Sequence, residues 1–389
     1  MPAEKLFPPT WIATPNSLQK TAGELEAFPR ISVDTEANSL HAYREQLCLI
    51  QFSTPVTDFL VDPLSINDLS PLNPIFENPN IEKVFHAVEY DLICLKRDAG
   101  LKVVNLFDTM QAARILGYPQ VGLDSVLFCK LGILLDKKYQ KADWGKRPLS
   151  HEMLNYARLD THYLLELRDS LQVELVERGR WELACEEFIR LAQGNGNDKS
   201  QIPAWQRVKG GQKCTDRQLT ILQELCTWRE TQARRINRPL FQVLDDKSLV
   251  VVAKAAPEDH AELAASGLTP RQIEKYGNQL LQAVERGKEL TLLSRPSHAH
   301  PSQAYMDRLK NLSEWRKVVA LKFGTDSDIV LPKNWMHQIA EKNPKNMREL
   351  IPLMPQSPWR LEEFGRDLLQ TLTKKTTGIK QKTKPDQPG

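Results

Sequence analysis

The apolar run Ile31-Ser32-Val33 ends in Asp34-Thr35-Glu36. Residues i and i+2 of a strand project to one face, so both carboxylates point the same way. Two acids crowded together call for a cation, although the same residues also describe a solvated strand end. Asp91 follows His86-Ala-Val-Glu-Tyr where a helical pattern begins, a place where a carboxylate also suits the positive end of the helix dipole. Tyr156 and Asp160 are four apart on a helical pattern and therefore share a face. Taken singly they are a core-anchoring tyrosine and an exposed aspartate. Carboxylates suit hard, oxygen-loving ions such as Mg²⁺ or Mn²⁺. Zinc is disfavoured, because no cysteine pair has ligand spacing, and His86 reads as a structural or supporting residue. The segment Lys141-Ala-Asp-Trp-Gly-Lys-Arg-Pro places Trp144 beside Lys146 and Arg147. An aromatic with flanking cations can stack on a base and pair with phosphate. The alternative is that Trp144 packs the loop down and Arg147 makes an internal ion pair.

These residues need elements to hold them. Residues 31–34, 47–53 and 57–62 read as strands, with a hairpin break at 54–56. A strand at 83–87, a helix at 90–99 and a strand at 103–108 follow, then helices. An antiparallel meander followed by βα units makes a mixed α/β sheet. A long helical pattern over 150–178 closes the region, with Ser150 as its N-cap.

At 389 residues the chain is long enough for two or three domains, and 41% hydrophobic with 26% charged residues excludes a disordered or collagen-like chain. The longest aliphatic runs fall far below a membrane span. The first residues show no apolar stretch behind a basic start, so no secretory signal is expected. The six cysteines are scattered and several lie in apolar runs, which favours a reducing cytoplasm. Residues 1–193 hold 20 Lys and Arg against 27 Asp and Glu, a net −7, whereas residues 194–389 hold 32 against 22, a net +10. A basic half favours a polyanion partner; an acidic half can hold cations. Two polar stretches rich in Gly or Pro, 194–203 and 294–303, read as linkers. A cut in the first is expected to sever few core contacts. Beyond it the chain repeats itself: Trp228-Arg229 matches Trp315-Arg316, and Tyr276-Gly277 matches Phe364-Gly365. Two small helical bundles are expected.

Taken together, the acids and the tyrosine resemble the ribonuclease D family of 3′ to 5′ exonucleases, in the branch marked by four acids and a tyrosine. VDTE with LCLIQ following, HAVEYDL, and YARLD carry the resemblance, supported by NLFDTMQAARILG, LGILLDKKYQKADWGKRPLS and HYLLEL. It covers most of residues 28–175. The sister branch has a histidine five residues before the final aspartate; here that position is Asn155. Ala37 departs from some relatives, which have a bulkier residue after the glutamate. The repeated bundles resemble the helicase-and-ribonuclease-D C-terminal (HRDC) domain, the first copy more clearly.

The resemblance implies a ribonuclease H-like mixed sheet flanked by helices over 1–193, a linker at 194–212, an HRDC bundle at 213–293, a linker at 294–303, a second HRDC-like bundle at 304–373, and a basic tail at 374–389 expected to be disordered. It further implies a metal-dependent exoribonuclease releasing nucleoside 5′-monophosphates, acting on tRNA precursors or other small structured RNAs, cytoplasmic, not membrane-bound, and more readily a monomer than an oligomer. Asp34 would bridge two divalent ions, Mg²⁺ or Mn²⁺, Glu36 and Asp160 would hold the hydrolytic one, Asp91 would support the other, and Tyr156 would orient the attacking water. Trp144 and Arg147 would contact the substrate. Arg234, Arg235, Arg238 and the tail lysines favour RNA tracking, with affinity falling as salt rises. The rivals are a DNA exonuclease of the same superfamily and a non-catalytic RNA-binding protein on this fold; the intact acids argue against the second.

Overall fold

A computed structural model of the chain describes residues 7–194, 202–293, 295 and 301–374. Residues 195–201, most of 294–303 and most of the basic tail lie outside the described residues; the linker expected to reach residue 212 ends earlier, because the helix Ala204–Arg207 forms and Trp205 and Val208 are buried in the core of the first bundle. Among the described residues one sheet holds β1 (Thr10–Ile12), β2 (Arg30–Ala37), β3 (Leu47–Ser53), β4 (Asp58–Val61), β5 (Glu82–Phe85) and β6 (Leu106–Asp108), in the order β1-β4-β3-β2-β5-β6. The hairpin β3–β4 and the β2–β3 pair are antiparallel, while β5 joins β2 and β6 joins β5 in parallel. This is the mixed sheet the sequence predicts, with the short β1 added in parallel along β4. β3 is buried along its whole length, which its apolar run LCLIQFS requires.

The helices of this region are α1 (Pro15–Glu26), α2 (Asn73–Phe76), α3 (Glu89–Ala99), α4 (Thr109–Leu116), α5 (Leu123–Leu131), α6 (His151–His162), α7 (Leu164–Glu177) and α8 (Trp181–Ala192). Ser150 caps α6, its hydroxyl accepting from Met153 N–H at 3.3 Å. The single helix expected over 150–178 is two helices broken at Tyr163, whose φ of −97° and ψ of 1° are not helical. α6 is pinned to the β3–β4 side of the sheet, whereas α7 packs along α4 and beneath β2 and β5. One straight rod cannot follow both surfaces. The strand expected at 103–108 is confined to β6 because Asn105 takes a left-handed φ of 50°, which ends the extended run.

Each bundle has its own apolar core, one built around the helix Asp216–Ile236 and the other around Gln303–Phe323. The internal repeat is visible in the packing. Trp228 meets Tyr276 edge-on at 5.4 Å, and Trp315 meets Phe364 in the same way at 5.8 Å. The arginine after each tryptophan donates to a backbone carbonyl, Arg229 to Leu244 at 2.9 Å and Arg316 to Leu331 at 3.0 Å.

The second bundle folds back onto the first region, which corrects the expectation that a cut in the first linker severs few core contacts. Ile329 is buried in the same apolar cluster as the sheet. Arg360, fully buried, is held by Glu186 at 3.1 Å and Glu187 at 2.8 Å on α8. Arg114 on α4 pairs with Asp326 and Asp328. At Gly117, φ +81°, an added Cβ would meet the Gly324 carbonyl oxygen at 1.9 Å, so the two backbones approach closely only because no side chain stands there. Linker composition reports backbone exposure between elements, and it says nothing about whether the elements later dock.

Candidate active site

Asp34 and Glu36 stand on β2 and Asp160 on α6, and one carboxylate oxygen from each lies within 4.8 Å of the others. The β2–β3 register shifts between Glu36 and Ala37 directly after the pair, a bulge that bends a strand end and re-aims its side chains. α6 is anchored directly after Asp160. Thr161 accepts Ser32 Oγ–H at its carbonyl, 2.9 Å, and its hydroxyl lies 2.7 Å from that of Ser53. His162 Nδ1 lies 2.9 Å from the Asp58 carboxylate. These contacts fix one helical turn against three strands, and Asp160 is carried by that turn.

Asp91 enters from the first turn of α3. Thr35, between the two strand acids, donates its hydroxyl to Asp91 Oδ1 at 2.5 Å. Asp91 therefore abuts β2 and faces the charge of Asp34, just outside the group of three. Its approach depends on the turn before α3, where Ala87 has a left-handed φ of 65°. The backbone N–H groups of Ala87 and Val88 donate to the buried Asp108 carboxylate at 3.2 and 2.8 Å, and that carboxylate also caps α4 through Gln111 N–H. Asp108 thus braces a strained turn that delivers Asp91. His86 beside it is half-buried, and loss of solvent around the ring pushes its imidazole down to about 4. Its Nδ1 lies 2.9 Å from the Thr109 hydroxyl, which makes it a structural residue.

All four carboxyls are raised, and burial is the first cause at each. It pushes Asp160 up to about 7. At Asp34 the charge of Asp160 adds to burial; at Glu36 the charges of Asp34, Asp160 and Asp91 add; at Asp91 the charge of Asp34 adds, against the Thr35 hydrogen bond. Among the described residues no lysine or arginine forms an ion pair with any of the four. A set of mutually repelling, all-oxygen donors, Asp91 buried and the other three half-buried, is relieved by a bound divalent cation, so the residues present fit such an ion.

Tyr156 sits half-buried on α6 one turn before Asp160. Burial, then the charges of Asp160, Glu36 and Asp34, hold its phenol well above the usual value. It stays protonated at neutral pH, an O–H donor and a poor base.

Trp144 is too buried to stack on a base, which corrects that expectation, and Arg147 makes the internal ion pair that is its alternative reading. Trp144 is 1% exposed, packed in a satellite cluster with Cys48, Leu49, Leu60 and Ala157. Arg147 grips the buried Asp62 carboxylate at 2.6 and 3.0 Å and donates to the carbonyls of Trp144 and Cys48 at 2.8 and 2.7 Å. The indole finds an apolar seat and the guanidinium a buried anion, so the loop folds inward.

Three further residues shape the site. Gln51, in register with Asp34 on β3, brings its Nε2 to 3.4 Å from Asp34 Oδ2; a lone amide in an apolar strand was the available signal. Asp108 was legible as an N-cap before the helical run TMQAARIL. Tyr139, edge-on to Tyr156 at 5.8 Å, lies in a loop whose sequence gives no such sign.

Comparison with known proteins places this geometry. A 3'-5' exonuclease family matches residues 9–176, and the HRDC domain matches residues 218–284 and 306–372. A ribonuclease D from Bartonella henselae is 33% identical over 352 residues, 88% of this chain and 84% of that protein. Exosome complex component 10 of Rattus norvegicus is 35% identical over 283 residues, 69% of this chain; the match spans only 31% of that longer protein. Among solved structures, Escherichia coli RNase D, described as an exoribonuclease involved in structured RNA processing, superposes with a TM-score of 0.71 at 27% identity, covering 94% of this chain and 99% of that one. The catalytic core of RRP6 from Trypanosoma brucei gives 0.60 at 31% identity, covering 72% and 79%. No described helix is long and apolar enough to cross a membrane.

Proposed function

The chain belongs to the ribonuclease D family of 3′-5′ exoribonucleases, and from that premise we propose that Asp34, Glu36, Asp91 and Asp160 hold two divalent ions, Mg²⁺ or Mn²⁺, at which RNA is trimmed to nucleoside 5′-monophosphates. The observation that carries this is the convergence of three carboxylate oxygens within 4.8 Å, with Asp91 adjoining and, among the described residues, no cationic side chain paired with them. Asp34, whose charge acts on both Glu36 and Asp91, would be shared by the two ions, Glu36 and Asp160 would hold the one that activates water, and Asp91 would support the other. When bound, two such ions supply the charge that makes water nucleophilic at neutral pH and that stabilises the departing 3′ oxygen. The chain's own contribution is placement. β2 and α6 hold the carboxylates before any substrate arrives, Thr35 fixes the rotamer of Asp91, and the protonated Tyr156 hydroxyl orients the attacking water.

The substrate we propose is the 3′ end of a tRNA precursor or another small structured RNA. The support is the full-length likeness to ribonucleases D and the exposed Arg234, Arg235 and Arg238 of the first bundle, within a C-terminal half of net charge +10. A reducing, cytoplasmic setting and a monomer complete the reading, the former supported by six cysteines that are all unpaired. The test is digestion of a 3′-extended tRNA and a matched single-stranded DNA, each with and without Mg²⁺ or Mn²⁺. Shortening of the RNA from its 3′ end only when metal is present supports the proposal. Preference for the DNA would reassign the enzyme to the DNA-directed branch of the superfamily, and metal-independent shortening would remove the acids from the chemistry.

A further inference from the structure

Tyr156 is the proposed water-orienting side chain, and its polar atom is not held by the described residues of the protein. Among the described residues its hydroxyl has no hydrogen-bond partner, so hydrogen bonding does not set the direction of the phenol. What surrounds the ring is aromatic. Trp144 lies 6.1 Å away, tilted by 34°, and Tyr139 lies 5.8 Å away, edge-on at 72°. Both belong to the loop between α5 and α6, and Tyr156 packs at the border of the cluster formed by Cys48, Leu49, Leu60, Trp144 and Ala157.

That loop is fastened with more bonds than packing alone needs. Arg147 ties it to Asp62 just after β4, to the carbonyl of Cys48 on β3 and to the carbonyl of Trp144 itself. His41, five residues after Glu36, has its Nε2 3.1 Å from the Lys141 carbonyl. The loop is therefore bound at one point to the segment that follows the strand acids and at another to the strands on which α6 rests. Trp144 is seated at 1% exposure although its indole N–H is left without a partner. An unpaired buried N–H is costly, and a site selected only for filling space would favour a phenylalanine or leucine.

We propose that Trp144 and Tyr139 form an aromatic brace that sets the direction of the Tyr156 hydroxyl, making them positioning residues for the hydrolytic water. The proposal rests on the assignment of Tyr156 as the water-orienting group. Neither ring reaches the carboxylates; both act through Tyr156. Aromatic pairs prefer edge-on and offset arrangements, so two neighbours at different inclinations define the plane of the third ring and, with it, the line along which its O–H points. The sequence reading of Trp144 as a base-stacking residue is replaced by a role inside the protein. Arg147 serves the same brace by holding the loop that carries both rings.

The test is a set of double-mutant cycles in the full chain, with Mn²⁺ and a short single-stranded RNA, measuring kcat and KM separately. Trp144→Leu and Tyr139→Leu each remove a bracing ring, and Trp144→Phe restores a ring while discarding the unpaired N–H. Each is made with Tyr156 intact and with Tyr156→Phe. With Tyr156 intact, either leucine variant is expected to lower kcat by about 10- to 100-fold, the range for a misplaced catalytic group, at unchanged KM. Trp144→Phe should recover most of that loss. With Tyr156→Phe in place the same leucine substitutions should cost no more than about a further twofold, because the group they position is gone. The same fold loss in both backgrounds, a change in KM alone, or no loss of kcat would overturn the brace. A silent Tyr156→Phe would overturn the assignment of Tyr156, and the brace with it. Should Trp144→Leu fail to fold, the partly exposed Tyr139→Leu carries the identical cycle, and bound Mn²⁺ measured by calorimetry checks that the carboxylates are intact.

Discussion

Asp160→Asn should abolish turnover and at the same time stabilise the metal-free protein at alkaline pH. The Asp160 carboxyl is pushed from 3.8 to about 7 by burial, and its charge contributes to raising Asp34 and Glu36. Between these two values the folded protein binds more protons than the unfolded chain, so this group's contribution to stability falls as pH rises through the window. Below about pH 4 both states are protonated and the group is neutral in its effect; above about pH 7 the full cost is present. Three pKa units at about 1.36 kcal/mol each give at most about 4 kcal/mol. At about 2–4 °C per kcal/mol for a domain of this size, several degrees of melting temperature are at stake. The assay is thermal unfolding in EDTA at pH 5 and pH 8. Asparagine keeps the volume and removes the charge, so the variant should melt higher than wild type at pH 8, and the gap should shrink at pH 5. An Asp160→Asn protein that melts lower by the same margin at both values would show that the carboxylates are not an electrostatic load and would refute the reasoning.

Asp34→Asn should leave a folded chain with no metal-dependent hydrolysis, checked by circular dichroism alongside nuclease assays on a contaminant-free preparation. Tyr156→Phe should lower turnover by roughly 10²-fold with RNA affinity little changed, the pattern of a lost positioning group. Divalent metal should bind more tightly as pH rises from 6 to 8 and release protons, since its ligands are raised carboxyls that must be deprotonated; calorimetry in buffers of different ionisation enthalpy reads the proton count. Ending the chain at residue 193 strips Arg360 from Glu186 and Glu187 and uncovers the Ile329 seat, so the fragment should unfold at lower denaturant than the intact chain. The same fragment should show a shallower slope of log affinity against log salt on one tRNA precursor, because the phosphate contacts of the basic half are gone.

The parts of this molecule that sequence made legible are those where one residue's neighbours along the chain decide its place. Asp34 and Glu36 share a face because strands have a period of two, and Ser150 starts a helix because a hydroxyl there satisfies a free N–H. The repeated tryptophan-arginine pair announced two bundles, and both pairs make the same contacts. What escaped depended on partners far away in sequence. The break at Tyr163 follows from the sheet surface beneath α6 and α7. Trp144 and Arg147 carry the chemistry of an RNA contact, and only the position of Asp62 and of the satellite cluster turns them inward. Asp108 reads as an ordinary helix cap until its second task, holding the left-handed Ala87 that delivers Asp91, comes into view.

The most direct measurement is the identity of the products released from a 5′-labelled RNA of defined sequence, followed by mass spectrometry over time with Mn²⁺, with EDTA, and with Asp34→Asn. Single nucleoside 5′-monophosphates leaving in order from the 3′ end, only with metal and only with Asp34 intact, are the expected result. Internal fragments, 3′-phosphate products, or hydrolysis that survives EDTA or Asp34→Asn would contradict a carboxylate-held, metal-dependent exonuclease site.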